Sequence, residues 1–244
     1  MERLSALGTC IVFLVVTGQL AIAQKWPAGN WETAVVVTDD KEHEKEASVE
    51  QKDGIFIIKA GGHDIWGSAD QLTYAYKIMS GDFDVTVTVH SLENTHDYAK
   101  AGIMARQDIS PGSANVMAYS RGADDLAMLQ RREVADNDTF SRRMTSTGAE
   151  RPVTIRLTRT GDEFVGGWSK DGGKTWEENV HSDGTPTPPA VVEMSDPILL
   201  GVAAMSHVVG VMNTAEIEVL NDPSAAVRPA QKLTIAWGAV KANH

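Results

Sequence analysis

The stretch Gly81-Asp82-Phe83-Asp84-Val85-Thr86-Val87-Thr88-Val89-His90-Ser91-Leu92 decides the fold class. Phe83, Val85, Val87 and Val89 fall on one face of an extended chain, and Asp84, Thr86, Thr88 and His90 fall on the other. Strand side chains alternate with period two, and β-branched and aromatic residues suit a pleated, half-buried surface. The stretch therefore predicts a strand with one face in a core and the other toward water. Pro152 to Gly161 repeats the pattern, with Val153, Ile155 and Leu157 inward and Thr154, Arg156 and Thr158 outward.

Outward from these two, strands are expected at Ile55 to Ala60, Thr73 to Ile78, Ala101 to Gln107, Val116 to Arg121, Leu126 to Arg131, Glu163 to Ser169, Leu199 to Ser206 and Ala215 to Leu220. Turn signals such as Lys52-Asp53-Gly54, Ser80-Gly81-Asp82, Gly122-Ala123-Asp124 and Thr160-Gly161-Asp162 separate them. No stretch of comparable length carries a capped apolar stripe of helical period, and no repeat of fixed period suggests a propeller or solenoid. Many short strands with Gly, Asp and Pro turns predict an all-β, two-sheet antiparallel β-sandwich of jelly-roll type. The sandwich domain is expected over residues 24–222, with a C-terminal tail over 223–244. Asp39 to Asp53, rich in acids and lysines, reads as a solvated hairpin or loop, and the proline-rich His181 to Pro197 as a long irregular connection. In the tail, Trp237 is expected to dock on the sandwich or on a partner.

At the N-terminus, Met1-Glu2-Arg3, the apolar run from Cys10 to Leu20 and the small residues of Ala21-Ile22-Ala23 read as a signal peptide spanning residues 1–23, cleaved before Gln24. Cys10 to Ala23 falls short of the ~20 residues needed to span a bilayer, and nothing later approaches that length, so no transmembrane segment is expected. The one Cys of the 244 residues lies in the leader. Disulfides, cysteine metal clusters and cysteine nucleophiles are thereby excluded from the mature chain. With 22 Lys and Arg against 33 Asp and Glu, the net charge of −11 argues against nucleic acid and anionic lipid as partners. A secreted, extracytoplasmic protein is expected.

Ser169-Lys170-Asp171-Gly172-Gly173-Lys174-Thr175-Trp176 matches the Asp-box pattern, in which the Asp side chain ties the backbone of a tight hairpin turn. A sialidase propeller would carry several such boxes; one box reads as a hairpin. Gly62-His63-Asp64-Ile65-Trp66-Gly67-Ser68-Ala69-Asp70, Tyr74-Ala75-Tyr76, Ser80 to Asp84, Ala99 to Arg106, Leu129 to Arg132, Ile155 to Gly161, the Asp box and Gly201 to His207 together resemble a bacterial extracellular family of unassigned function. That family lies in the concanavalin A-like, laminin-G-like lectin/glucanase superfamily. The resemblance spans roughly Ala28 to Leu220 and implies a concanavalin-like jelly roll whose relatives often bind carbohydrate or accompany enzymes acting on polysaccharide. Tyr98 stands where the family pattern has Trp.

The sandwich glucanases of the superfamily carry a Glu-x-Asp-x-x-Glu strand, which is absent here. Glu216 with Glu218, and Asp82 with Asp84, share strand faces opposite to the apolar residues and are expected in solvent. Gly-x-Ser-x-Gly and His-Glu-x-x-His signatures are absent too. A non-catalytic carbohydrate-recognition or accessory module, with a poly- or oligosaccharide as partner, is therefore the leading expectation. The alternatives are a glycoside hydrolase with non-standard carboxylates, and a structural or adhesion domain binding another protein.

Sugars are held by aromatic rings under their C–H faces and by polar side chains on their hydroxyls. Between Lys100 and Gln107, Lys100, Met104 and Arg106 share one face, with Ala101, Ile103 and Ala105 on the other. The candidate binding residues are accordingly Lys100 and Arg106, with Arg131 and Arg156 as further strand cations, His207 at a strand end, and the aromatics Trp66 and Tyr98. Trp66 could equally cap the core. Exposure of Trp66, Tyr98, Tyr119 and Trp168 in one groove is the discriminating observation. No cofactor is expected, apart from a structural Ca²⁺ for which Asp64 and Asp70 are weak candidates.

Overall fold

A computed structural model describes residues 26–38, 45–122, 126–145, 148–178, 180–181, 183–222 and 231–232. The expected leader and Trp237 lie outside the described residues. The strands, in chain order, are β1 (Glu32–Val36), β2 (Ser48–Lys52), β3 (Ile55–Ala60), β4 (Ile65–Trp66), β5 (Ala69–Asp70), β6 (Leu72–Met79), β7 (Phe83–Leu92), β8 (Lys100–Arg106) and β9 (Asn115–Arg121). They continue with β10 (Ala127–Arg132), β11 (Phe140–Arg143), β12 (Val153–Thr160), β13 (Glu163–Ser169), β14 (Glu177–Glu178), β15 (Ala190–Val191), β16 (Ile198–Met205), β17 (Asn213–Leu220) and β18 (Gln231–Lys232). Among the described residues no helix is long and apolar enough to cross a membrane.

One sheet has seven strands in the order β1-β6-β16-β8-β9-β10-β11. The other has nine, running β14-β13-β12-β7-β17-β3-β2-β18 with β15 beside β13. A separate hairpin, β4-β5, forms a two-stranded unit. The pairings within both large sheets are antiparallel, so the fold is an all-β, two-sheet antiparallel β-sandwich. All ten expected strands form, with ends shifted by at most two residues. β2 lies inside the segment expected as a solvated hairpin or loop. It pairs with β3 and turns Val49 into the core, because one inward apolar residue suffices when its neighbours face water. Part of the expected tail also continues the nine-stranded sheet, since β18 pairs with β2.

The main core lies between the sheets. Phe83, Val85, Val87 and Val89 of β7 and Val153, Ile155 and Leu157 of β12 meet Ala101, Ile103 and Ala105 of β8, Val116 and Ala118 of β9, and Leu129 of β10. The other face of the seven-stranded sheet is also apolar. It carries a second cluster of Tyr74, Tyr76, Met104, Met117, Tyr119, Met128 and Met205, into which hairpin β4-β5 inserts Ile65. Full burial of such side chains contributes roughly 1.5–3 kcal/mol each, which explains how a two-residue-per-strand hairpin stays on the sheet.

Close approach shapes this second cluster. Gly102 pairs with Tyr119 and Gly201 with Tyr76. A Cβ on Gly102 would run into the Ala118 carbonyl, and one on Gly201 into the Ala75 carbonyl, so both positions need glycine. Behind the sheet, Lys77 and Asp222 form a fully buried pair at 2.7 Å. Lys77 also donates to the Pro27 carbonyl at 2.9 Å, and Trp31 Nε1 donates to Asp222 at 2.8 Å, clipping the segment before β1 to the end of β17. In the Asp box, Asp171 accepts the Lys174 and Thr175 amides at 3.0 and 2.9 Å and the Thr175 hydroxyl at 2.7 Å. These bonds hold its carboxyl well below the usual carboxylate range.

Candidate functional site

Alternation along β8 sends Lys100, Met104 and Arg106 toward the face covered by hairpin β4-β5. Lys100, at the start of the strand, is buried beneath that hairpin. Its Nζ donates to Asp64 at 2.6 Å and to the Ile65 carbonyl at 3.2 Å. The Tyr119 and Trp66 rings lie 5.4 and 5.9 Å from the ammonium. Burial lowers the Lys100 pKa from its usual value, and the Asp64 carboxylate opposes that shift. The hydroxyl of Tyr119 is pushed up by the same burial.

Around this floor stand exposed rings and imidazoles. Trp66 is 44% and Tyr98 48% exposed, enough to leave ring surface open to a ligand. Arg121, the β9 partner of Lys100, places its guanidinium 5.0 Å from the Tyr98 ring. His207, just past β16 with φ of 66°, lies 4.3 Å from His96, 5.4 Å from Tyr98 and 5.6 Å from His63 between ring centroids. Its Nδ1 sits 3.5 Å from Asp64, close enough for Coulomb attraction but without a formed hydrogen bond. Burial lowers the His207 pKa; Asp64 opposes this, while His96, Lys100 and His63 add to it. Asp64, Trp66, Tyr98, Lys100, Tyr119, Arg121 and His207, with Ser141 of β11, line a cleft of about 450 Å³.

Behind the cleft, the hairpin is fixed to the sheet by a buried ionic cluster. Register aligns Arg106 with Asn115, and Asn115 with Arg132, across β8, β9 and β10. Asp70 of β5 reaches over them. It accepts from Arg106 at 2.6 Å, from Arg132 at 2.8 Å and from Asn115 at 3.1 Å, and all four side chains are excluded from water. One carboxylate facing two guanidiniums leaves positive charge uncompensated. The Asp108, Ser110, Gly67, Asn137, Pro111 and Ser113 carbonyls take up the remaining N–H donors.

Of the residues expected at a binding surface, Trp66, Tyr98, Lys100 and His207 come together at the cleft, and Arg106, Arg131 and Arg156 do not. Arg106 points to the expected face but is spent on Asp70. Arg131 is opposite Val116, which in turn is opposite Ala105, so it stands on the core-side face of the strand next to the sheet edge and pairs with Glu133 at 2.7 Å. Arg156 belongs to the other sheet, where it grips Asp84 at 2.6 Å and Glu178 at 3.2 Å. The weak calcium candidates face cations instead: Asp64 takes Lys100 and Asp70 takes two arginines. Among the described residues no group of three or more His, Cys, Asp and Glu has a metal-holding arrangement. Of the four aromatics, Tyr119 joins Trp66 and Tyr98 in the cleft, whereas Trp168 is buried in the main core.

Arg121 and Ser141 were not anticipated. For Arg121 a signal existed, since Met117, Tyr119 and Arg121 share one face of a predicted strand. Ser141 had none, because β11 is short and polar.

No protein-family model matches the chain, and no curated protein matches it. Among solved structures it is similar to that of a functionally unknown protein from Saccharomyces cerevisiae, with 20% identity and a TM-score of 0.55 over 78% of this chain and 92% of that one. Lectin II from Ulex europaeus (7% identity, TM-score 0.43, 78% and 90% covered) and the Ca²⁺/Man3GlcNAc-bound exoplasmic/lumenal domain of VIP36 (6%, 0.36, 81% and 86%) are fainter likenesses, too weak to carry an argument. What the comparisons show is the fold alone: this chain is a two-sheet β-sandwich of the same architecture as the yeast protein.

Proposed function

We propose that the cleft binds carbohydrate and that the protein is a secreted, non-catalytic recognition or accessory module. The observation that carries this is the pairing of two half-exposed rings, Trp66 and Tyr98, with the charged floor of Lys100 and Asp64 in one cleft of about 450 Å³. A pyranose presents C–H faces that suit aromatic rings and hydroxyls that suit charged donors and acceptors, and this cleft offers both. The leader-like Met1 to Ala23 supports export, and the sequence resemblance to extracellular domains accompanying polysaccharide enzymes supports the accessory role.

Glycoside hydrolysis normally uses two carboxyl groups across the scissile bond. Among the described residues Asp64 is the single carboxylate lining the cleft, and it is bound to Lys100. Asp84 and Glu218 lie on the nine-stranded sheet, engaged by Arg156 and by His90 at 2.9 Å.

Residues 24–244 incubated with a panel of insoluble and soluble polysaccharides should be retained by at least one glycan. Trp66→Ala and Tyr98→Ala should each weaken that retention with an unchanged melting temperature. Release of reducing sugar without retention would overturn the proposal in favour of a hydrolase.

A further inference from the structure

The floor of the cleft keeps one hydrogen-bond acceptor and one donor unspent, side by side. Asp64 places both of its hydrogen bonds on a single oxygen: Oδ1 accepts from the Ile65 amide at 2.7 Å and from Lys100 Nζ at 2.6 Å. Its Oδ2 carries none, and His207 Nδ1 stands 3.5 Å from it without a hydrogen bond. An ammonium has three N–H donors. Lys100 gives one to Asp64 and one to the Ile65 carbonyl, and the third meets no oxygen or nitrogen acceptor among the described residues. Both side chains line the cleft.

Neither group can turn away to find another partner. Lys100 is almost fully buried, with the Tyr119 and Trp66 rings 5.4 and 5.9 Å from its ammonium. Asp64 is held by the amide of the next residue and by a charge-assisted bond to that ammonium. The open oxygen and the open N–H therefore stay close together, because Lys100 grips the sister oxygen of the same carboxylate.

Their charges offset each other, so what the floor lacks is a donor for Oδ2 and an acceptor for Nζ. A carboxylate, sulfate or phosphate brings acceptors alone and would face Oδ2 with like charge; an ammonium brings donors alone. A hydroxyl does both. Two hydroxyls on neighbouring ring carbons reach both groups at once.

Resting on the carbohydrate reading above, we infer that the cleft floor selects a neutral sugar through a pair of adjacent hydroxyls, one donating to Asp64 Oδ2 and the other accepting from Lys100 Nζ, while Trp66 and Tyr98 cover the C–H surface of the ring.

The test alters the ligand and leaves the protein native. Residues 24–244, labelled with ¹⁵N, are titrated by NMR with the methyl glycosides of glucose, galactose, mannose and xylose, and with methyl glucuronide. At least one neutral glycoside should shift the amides of Trp66, Tyr98 and Lys100. Among its monodeoxy analogues, two lacking neighbouring hydroxyls should each bind about tenfold more weakly or worse, as expected for a lost hydrogen bond to a charged group, and the others should bind like the parent. Asp64→Asn turns the open acceptor into a donor beside an uncompensated ammonium, so it should weaken the neutral glycoside and strengthen methyl glucuronide. Equal tolerance of every deoxygenation, dependence on a single hydroxyl, or tighter binding of the glucuronide by the native protein would overturn the diol floor and leave a sugar site standing. So would a native protein that is retained on a polysaccharide but answers no glycoside. No response to any glycoside and no retention on any polysaccharide would overturn the carbohydrate reading and the diol floor together.

Discussion

Replacing Asp70 by Asn removes the one negative charge from a buried cluster without changing its shape. In the native protein Asp70 accepts from Arg106 and Arg132 at 2.6 and 2.8 Å, with none of the three side chains in contact with water. Asparagine keeps one acceptor oxygen, leaves no cavity and aims a donor NH₂ at a guanidinium. The carbonyls around Arg106 and Arg132 are already engaged, and water is excluded, so nothing compensates the second cation. Breaking a buried pair in this way costs ~3–5 kcal/mol. At ~2–4 °C per kcal/mol for a chain of this size, Asp70→Asn should melt about 6–20 °C below the parent protein. Since native stability is typically ~5–15 kcal/mol, the variant should still fold at room temperature. Circular dichroism melts and urea titrations measure the loss, and tryptophan fluorescence should report a loosened Trp66 hairpin before global unfolding. A variant within ~1 kcal/mol of the parent would refute the reasoning, since the carbonyl cage would then be solvating both arginines unaided.

Lys77→Met should cost a comparable ~3–5 kcal/mol, because it removes the buried ammonium that neutralises the buried Asp222 carboxylate; a urea midpoint shift at constant slope checks it. His207 gives a pH signature. Its folded pKa is lowered from 6.5 by burial and by His96, Lys100 and His63, against the pull of Asp64. The unfolded chain therefore takes up the proton first, so the stability His207 contributes is complete above its unfolded pKa and is lost as pH falls through the folded value. Melting temperature should decline on acidification below pH ~6.5, and His207→Asn, which tolerates the left-handed backbone, should flatten that decline. An identical slope in the variant would assign the acid sensitivity to other groups.

Much of the scaffold was legible because one property, alternation, carries it. The β7 stretch announces its buried face residue by residue, and β8 correctly separates Lys100 and Arg106 from the small apolar set. Parity within β10 runs against the expectation for Arg131: with Leu129 in the core, Arg131 takes the core-side face, and Arg132 joins the face of Arg106. What single strands cannot convey is which strand lies beside which. Arg156 was rightly placed on the outer face of a strand, but only the pairing of β12 with β7 reveals that this face belongs to the opposite sheet. The same holds for Asp70. Its Gly-rich surroundings suggest an exposed turn, and its burial follows from the alignment of Arg106, Asn115 and Arg132 across three consecutive strands, 36 to 62 residues along the chain from Asp70.

The hairpin that carries Trp66 has a consequence for the thermodynamics of recognition. A two-stranded ribbon this short has no stability of its own in water. Yet Ile65 is fully buried, its carbonyl accepts from both Lys100 and Gln130, and Asp70 is pinned by the buried arginines. Its amides should exchange with solvent only when the whole sandwich opens, placing a surface ring among the slowest-opening parts of the molecule. Ordering of that platform is thus completed during folding, and an arriving ligand spends little of its interaction energy on immobilising the protein.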